Sequence, residues 1–255
     1  MFRQKCFWRR LIYNTIYCVT LITFMACSLK TFPDYIQPPA IIPNHQVKNN
    51  VTLACEPFIE KEKLINLFGI DLLNEYAEDE PGYVILPIYV SIENMGSDLV
   101  SIQYRTIQFI SREGKVIANA VDGDEAGRPC QRSIEHREPI ERISNDLAFF
   151  GLFSPALLLA ASAPAPFMEN AKATDRSAYL SMRSKYLGNK SIANGQKHGG
   201  FVYFLLKKEQ VAALENAAVL HMNVKNLETE EEIPFSFGMS LNVLSNRLTK
   251  MHIAE

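Results

Sequence analysis

The residue whose chemistry is easiest to place is Cys27, which ends an uncharged, mostly apolar run over residues 11–26. No acidic residue lies before it, and four basic residues precede the run: Arg3, Lys5, Arg9 and Arg10. A basic segment followed by a short apolar segment and a small residue is typical of a secretory signal. Because Ala26 is that small residue, the pattern predicts a leader over residues 1–26 that is cleaved before Cys27.

This leader resembles a bacterial lipoprotein signal, although Phe24 stands where such signals usually have Leu, Val or Ile. The resemblance implies a lipid, typically palmitate, on Cys27 and a place in the bacterial cell envelope. Ser28 occupies the second mature position, where Asp would signal inner-membrane retention in enteric-type lipoproteins. We therefore expect the outer membrane, facing the periplasm. The alternatives are an uncleaved signal anchor and ordinary secretion with cleavage elsewhere.

Loss of the leader would make the protein more acidic. The whole chain has 26 basic and 28 acidic residues, for a formal net charge of −2. The leader carries four of the basic residues and none of the acidic ones, so the mature chain would carry about −6. A chain of this charge has no electrostatic attraction to nucleic acid, so we expect no nucleic-acid partner.

Two cysteines, Cys55 and Cys130, remain in the mature chain after Cys27. In an oxidising periplasm a remaining pair indicates a disulfide. Closing the intervening loop would stabilise the fold by about 4 kcal/mol in the chain-entropy model. The alternative is two separate thiols, with Cys55 buried in a strand and Cys130 in a loop.

The remaining polar residues do not form a recognisable catalytic or metal-binding pattern. The five histidines are scattered singly, whereas metal sites need clustered ligands: His45, His136, His198, His221 and His252. The run Asp122-Gly123-Asp124-Glu125 resembles the start of a calcium loop, but the residues after it break the required spacing. We therefore interpret it as an acidic loop, and we predict no cofactor, no metal and no catalytic residue.

One alternative keeps a catalytic or ligand-binding role open. Active sites assemble from residues that are distant in sequence, so a hydrolase or small-ligand site could form from His136, Glu138 and Asp122. A deep pocket with His136 against a carboxylate would favour this alternative.

Alternating apolar residues predict a mainly β domain over residues 51–255, preceded by a proline-rich tether over 27–50. The alternation reverses within 99–110, which indicates a bulge in that strand. Seven strands with turn signals between them fit an immunoglobulin-like β-sandwich. The predicted strands lie at 51–55, 84–94, 99–110, 116–121, 201–206, 218–225 and 233–237.

A helical insertion is expected between the two halves of the sandwich, at about 146–188. It contains an uncharged apolar stretch over 147–168 that Gly151 and three prolines interrupt. This stretch either packs on one face of the sandwich or forms an exposed surface for a partner protein or the membrane. The candidate contact residues are Phe149, Phe150, Phe153 and Leu157.

The arrangement of these segments resembles bacterial envelope lipoproteins with an Ig-like domain. The resemblance rests on Phe68-Gly69, the strand at 84–94, the apolar insertion, and the run from Gly195 to Phe204. It implies no catalytic activity and no particular ligand. We therefore expect a membrane-anchored binding or structural module, held to the membrane by its lipid, that contacts another envelope protein.

Overall fold

The computed structural model describes residues 37–74, 76, 82–111, 113–135, 165–215, 218–239 and 241. Within these ranges the chain forms ten strands: β1 (His45–Lys48), β2 (Val51–Pro57), β3 (Val84–Asn94), β4 (Val100–Ile102), β5 (Gln108–Ile110), β6 (Val116–Asn119), β7 (Lys190–Ile192), β8 (Lys197–Leu206), β9 (Ala218–Asn226) and β10 (Glu232–Met239). The labelled α-helices are α1 (Lys61–Phe68), α2 (Gly123–Ala126), α3 (Ala165–Ser184) and α4 (Lys208–Glu215), and the backbone is also helical over 128–135. Short 3-10 helices span Pro39–Ile41 and Tyr104–Thr106.

The strands form two antiparallel sheets. Sheet A has the order β1-β2-β3-β8. In sheet B, β5 and β4 pair with successive parts of one side of β9, and β10 pairs with its opposite side. The sheet continues from β5 to β6 and from β4 to β7. The inner faces meet in an apolar core, where the rings of Phe109 in sheet B and Phe204 in sheet A lie 4.5 Å apart. The prediction of a mainly β sandwich is confirmed.

Sheet A is buried on both faces because helices cover the face that does not meet sheet B. Phe68 of α1 packs edge-to-face on Phe201 of β8, with 5.3 Å between the ring centroids. The hydroxyl of Tyr203, also in β8, donates to the backbone oxygen of Met182 in α3 at 3.0 Å. Sheet A is therefore the middle layer of three, which explains why almost every residue of β3 is buried.

Two polar side chains of β3, Tyr89 and Ser91, are covered by a segment that the sequence assigns to the tether. The hydroxyl of Ser91 donates to the backbone oxygen of Gln37 at 2.8 Å, and the Gln37 amide donates to the Tyr89 hydroxyl at 3.1 Å. The chain then turns at Pro39–Ile41 and enters β1, which pairs with β2. The segment 37–48 is thus part of the sandwich.

The run at 99–110, predicted as one bulged strand, is two short strands with a 3-10 helix between them. The Thr106 amide donates to the backbone oxygen of Gln103 at 3.1 Å, and its hydroxyl donates to the same oxygen at 2.8 Å. In β4 the core-facing residues have even numbers, whereas in β5 the core-facing residue Phe109 has an odd number. The 3-10 helix between the two strands causes this change. The reversal of alternation was real, but its cause is a turn and not a bulge.

The run at 122–125 is the start of a helix and not an acidic loop. Asp122 is the N-cap of α2, and its Oδ1 atom accepts a hydrogen bond from the Glu125 amide at 2.7 Å. Asp124 and Glu125 lie in the first turn, where the helix dipole favours negative charge. The same residues that resembled a cation loop therefore stabilise a helix terminus, and helical backbone resumes over 128–135.

Candidate functional site

Most residues that the sequence singles out for function lie outside the described ranges. These are the predicted lipidation site Cys27, the predicted contact residues Phe149, Phe150, Phe153 and Leu157, and the pair His136 and Glu138. Their roles stay predictions. Of the third member of the hydrolase alternative, the structure shows that Asp122 already caps α2.

Cys55 and Cys130, predicted as a disulfide, are two buried thiols in the structure. Cys55 lies in β2, where the Nδ2 atom of Asn44 lies 3.7 Å from its sulfur, and burial raises the pKa of this thiol. Cys130 lies in the helical stretch 128–135, where the Tyr76 hydroxyl donates to its sulfur at 3.1 Å. The two sulfur atoms have different neighbours and do not pair, so the predicted disulfide is not formed in this structure.

A buried polar cluster joins Tyr76, Cys130 and Asp175. The Tyr76 hydroxyl lies 3.0 Å from the Oδ1 atom of Asp175, in addition to its contact with Cys130. Burial first, and then the neighbouring thiol and carboxylate, raise the pKa of Tyr76, so the phenol stays protonated and remains a donor. All three side chains are almost inaccessible to solvent. The cluster joins α3 to two other segments and offers no opening to a substrate.

An open cleft of about 520 Å³ lies beside α1 and α3. Its polar lining includes Lys61, Asp71, Asn74 and Thr174. The Nδ2 atom of Asn74 donates to the Oδ2 atom of Asp71 at 3.2 Å, so this carboxylate is already engaged within the fold.

A second polar group, near the start of α2, consists of Tyr104, Tyr186, Arg105 and Asp122. The two tyrosine rings pack edge-to-face at 5.1 Å, and the Nε atom of Arg105 donates to the Tyr104 hydroxyl at 3.1 Å. The Tyr104 hydroxyl lies 3.4 Å from the Oδ2 atom of Asp122. Burial, followed by the proximity of Tyr104, raises the pKa of Tyr186. These contacts fix the 3-10 helix and α2 relative to each other.

The described histidines contact backbone oxygens or a hydroxyl. Nδ1 of His45 lies 2.8 Å from the oxygen of Ile42, and Nε2 of His198 lies 3.1 Å from the oxygen of Leu187. His221 faces the Ser236 hydroxyl at 3.2 Å on the exposed face of sheet B. In the described part of the chain no group of three potential metal ligands comes together.

Side-chain donors from neighbouring elements cover three of the edge strands. Gln46 and Lys48 donate to the backbone oxygens of Ser236 and Pro234 in β10, each at 2.5 Å. The corresponding contacts on β6 and β7 run from Gln210 to the oxygen of Ile117 at 2.9 Å and from Asn94 to the oxygen of Ile192 at 3.0 Å. A carbonyl engaged in this way is less able to accept another strand, so these contacts protect the edges from unwanted pairing.

Backbone contacts cover the fourth edge strand, β8. The Val121 amide donates to the oxygen of Tyr203 at 2.8 Å. The Leu187 amide donates to the oxygen of Phe201, and the Phe201 amide donates to the oxygen of Lys185, both at 2.8 Å. Short extended segments thus occupy the free side of β8.

The remaining edge strand is β1, and its outer side meets no other strand of the described ranges. It forms a two-residue hairpin with β2 through Asn49 and Asn50, both with positive φ, as a type I′ turn requires. Lys48 pairs with Val51 at this turn, so alternation of the ladder directs the backbone groups of His45 and Val47 away from β2. Across the described residues no hydrogen bond to these outward groups is found. The edge of β1 is therefore the candidate contact site.

Sequence reasoning missed this strand because prolines surround it. Pro38, Pro39 and Pro43 favour an extended tether, and β1 itself has only four residues. The signal that would have identified it is the Asn49-Asn50 pair between two extended runs, since Asn tolerates positive φ in a two-residue hairpin turn.

Comparisons with known proteins give distant structural likenesses. No protein-family model and no curated protein sequence matches the chain. The yjhA protein from Bacillus subtilis is 10% identical over 76% of this chain and 95% of its own, with a TM-score of 0.37. The ycdA protein from Bacillus subtilis subsp. subtilis str. 168, described as a candidate lipoprotein, is 8% identical over 76% of this chain and 38% of its own, with a TM-score of 0.33. These likenesses are too distant to transfer a function.

Proposed function

We propose that the protein is a bacterial envelope lipoprotein that acts as a binding or structural module through protein–protein contact. The observation that carries this proposal is the acid-free leader ending at Ala26-Cys27, which a tether and a β-sandwich follow. A lipid on Cys27 would hold the sandwich at the membrane surface. The second mature residue, Ser28, favours the outer membrane on its periplasmic side.

The surroundings of the polar groups in the described domain support a role in protein binding rather than catalysis. The buried cluster around Tyr76 is closed to solvent, and in the open cleft the Asn74 amide donates to the Asp71 carboxylate. The edge of β1, by contrast, presents outward backbone groups of the kind that pair with another strand. No helix in the described ranges is both long and apolar enough to cross a membrane.

The anchor is tested by the mass of the mature N-terminus. We expect protein extracted from membranes to begin at Cys27 and to carry the mass of a lipid. The Cys27→Ser variant should move from the membrane to the fraction that is not membrane-bound. Cys18→Ser is the matched control, because Cys18 lies within the leader and its loss should change neither the mass nor the fraction. An unmodified N-terminus at any other residue would contradict the lipoprotein proposal.

The binding role is tested by crosslinking and copurification of the full protein from native membranes. We expect a specific complex that survives gentle extraction. A strictly monomeric species with no associated protein would contradict the binding role and leave the anchor unaffected.

A further inference from the structure

Two apolar side chains are exposed in the part of the domain that is nearest in sequence to the predicted anchor. Ile41, in the first 3-10 helix, is 64% exposed, and Val47, in β1, is 63% exposed. These are the highest exposed fractions among the described large hydrophobic residues. Apolar side chains that are exposed together mark contact sites, whereas single ones are common on any protein surface.

Both side chains lie on the face of sheet A that is turned away from sheet B. Lys48 reaches toward β10 of sheet B, so the side chain of Val47, next to it, points to the opposite face. The register of the sheet puts Ser91 on the same face as Val47. There the Ser91 hydroxyl donates to the backbone oxygen of Gln37, and the chain continues from Gln37 to Ile41. Ile41 and Val47 therefore share the β1 corner of this face.

The charged side chains in the same row as Val47 are paired with each other. The row continues from Val47 through Thr52 and Glu93 to Lys197. The Lys197 ammonium lies 3.0 Å from the Glu93 carboxylate, so these two charges offset each other. Moving an unpaired charge out of water is costly, and pairing lowers that cost. This row can therefore approach a lipid surface without isolating either charge.

The length of chain before Gln37 limits how far this corner can be from the membrane. Gln37 follows Cys27 by ten residues, and a fully extended chain of that length spans at most about 35 Å. The inference rests here on the proposed function, because a lipid on Cys27 would fix the start of this segment in the membrane. A phospholipid surface is then permanently within reach of Ile41 and Val47, which raises its effective concentration at this corner.

We propose that Ile41 and Val47 insert into the headgroup region of the membrane that holds the anchor, and so orient the domain with the β1 corner of sheet A toward the lipid. The anchor supplies the attachment, so the two side chains need to supply only the orientation. Apolar side chains in such a contact lie roughly 5–10 Å deep, at the boundary between headgroups and acyl chains. A protein that contacts the β1 edge would then do so next to the membrane.

Tryptophan fluorescence of the full-length lipidated protein in phosphatidylcholine vesicles tests this contact. The single tryptophan of the chain, Trp8, lies in the predicted leader, so Val47→Trp gives the mature protein one reporter. We expect bromine attached near the start of the acyl chains to quench at least half of its fluorescence. Val116→Trp is the matched control, because β6 is also exposed there but packs near β8, at the opposite edge of sheet A from β1. Its fluorescence should hardly change.

A second substitution distinguishes contact by the native surface from insertion of the new ring alone. Ile41→Asp in the Val47→Trp chain puts a charge at the same corner and should restore at least half of the quenched fluorescence. Val116→Asp in the Val47→Trp chain is the control and should restore none. Both Asp substitutions replace exposed side chains, so unfolding in urea should stay near that of the Val47→Trp parent.

The outcomes separate this inference from the proposed function. A lipid-modified Cys27 with equal quenching at positions 47 and 116, or with no effect of Ile41→Asp, overturns the membrane contact and leaves the anchor intact. An unmodified N-terminus in protein that does not sediment with vesicles contradicts the anchor, and the contact fails with it. A photo-crosslinker at Val47 that captures a protein in native membranes, and no lipid, also overturns the contact.

Discussion

At the scale of single residues, the Tyr76 hydroxyl connects groups that are far apart in the sequence. It contacts Cys130 across 54 positions and Asp175 across 99 positions. Both partners are buried, so their polar atoms depend on this hydroxyl and on other protein groups instead of water. Removal of this hydroxyl should therefore lower the free energy of unfolding by more than the loss of an ordinary surface hydrogen bond would.

The Tyr76→Phe substitution tests this dependence. We expect the free energy of unfolding to fall by about 1–3 kcal/mol, because Asp175 and Cys130 would lose a buried partner. Urea denaturation measures the change. Tyr83→Phe is the matched control, since no hydrogen bond of the Tyr83 hydroxyl is found in the described part of the chain, and it should stay within about 0.5 kcal/mol of wild type. Equal losses in the two variants would contradict the role of the cluster.

The Cys55 thiol predicts a dependence of stability on alkaline pH. Burial raises its pKa, so the folded protein keeps the proton at a pH where the unfolded chain loses it. Above an ordinary thiol pKa of about 8.5, the unfolded state binds fewer protons, and the free energy of unfolding falls by up to about 1.4 kcal/mol per pH unit. Below that pH the thiol adds no slope.

Comparison with Cys55→Ala isolates this contribution. Urea denaturation of both proteins between pH 7 and about 10 should show the shallower alkaline slope in the variant. The buried tyrosines Tyr76 and Tyr203, whose pKa values are also raised, are present in both proteins and cancel in the comparison. Parallel pH profiles would contradict the assignment to Cys55.

At the scale of elements, α2 and α3 are in close contact at Gly123 of α2, where no side chain separates them. A Cβ atom at Gly123 would lie 2.8 Å from the backbone oxygen of Met182 and 2.9 Å from the Cα atom of Arg183. The exposed side of the same contact carries an ion pair between Asp124 and Arg183, at 3.3 Å. This pair is exposed and contributes little, so the close backbone contact is the feature that matters.

Gly123→Ala should force the two helices apart. We expect a loss of about 2 kcal/mol in the free energy of unfolding, because backbone atoms cannot move aside as a flexible side chain does. The better helix propensity of Ala offsets only part of this loss. Gly238→Ala is the control, since a Cβ atom there meets no atom within 4 Å and should change stability by less than about 0.5 kcal/mol. Similar thermal midpoints for the two variants would refute the close-contact argument.

The strands show how far the sequence predicts this fold. The alternation in β3 predicted its position, and the alternation in β10 matches its exposed and buried residues. It did not predict that Tyr89 and Ser91 are covered, because the covering residues come from segments with no periodic pattern of their own. The local alternation of apolar residues predicts where a strand lies. It does not predict which segments cover that strand, because these are distant in sequence.

The candidate site shows the same limit. The leader and Cys27 could be identified locally, because a signal is a contiguous stretch. The cluster of Tyr76, Cys130 and Asp175 could not, since its members come from three segments that only the fold brings together. The open edge of β1 required knowledge of which other edges were covered.

At the scale of the whole molecule, the segment 37–48 holds the sandwich closed on one side. Gln37 bonds to two side chains of β3, and Gln46 and Lys48 of sheet A bond to β10 of sheet B. Loss of this segment would turn β2 into an edge strand and free the carbonyls of β10.

A chain that begins at Asn49 should therefore be less stable than one that begins at Phe32. We expect a loss of at least about 2 kcal/mol in the free energy of unfolding, because buried groups on β3 lose their partners. Light scattering should also show association of the shorter chain, since two long edges are exposed. Equal stability and equal scattering would show that the domain begins after β1.

The end of the sandwich near Asn94 affects the rate of a slow chemical change, the deamidation of Asn194. The backbone oxygen of Asn94 accepts a hydrogen bond from the Gly195 amide at 2.7 Å. Gly195 follows Asn194, and Asn-Gly peptides lose ammonia when the glycine nitrogen attacks the asparagine side chain to form a succinimide. A nitrogen held by another carbonyl must first give up that bond, so the fold should slow deamidation at this exposed turn. Heat or denaturant that opens this end of the sandwich should therefore also raise the rate of deamidation at Asn194.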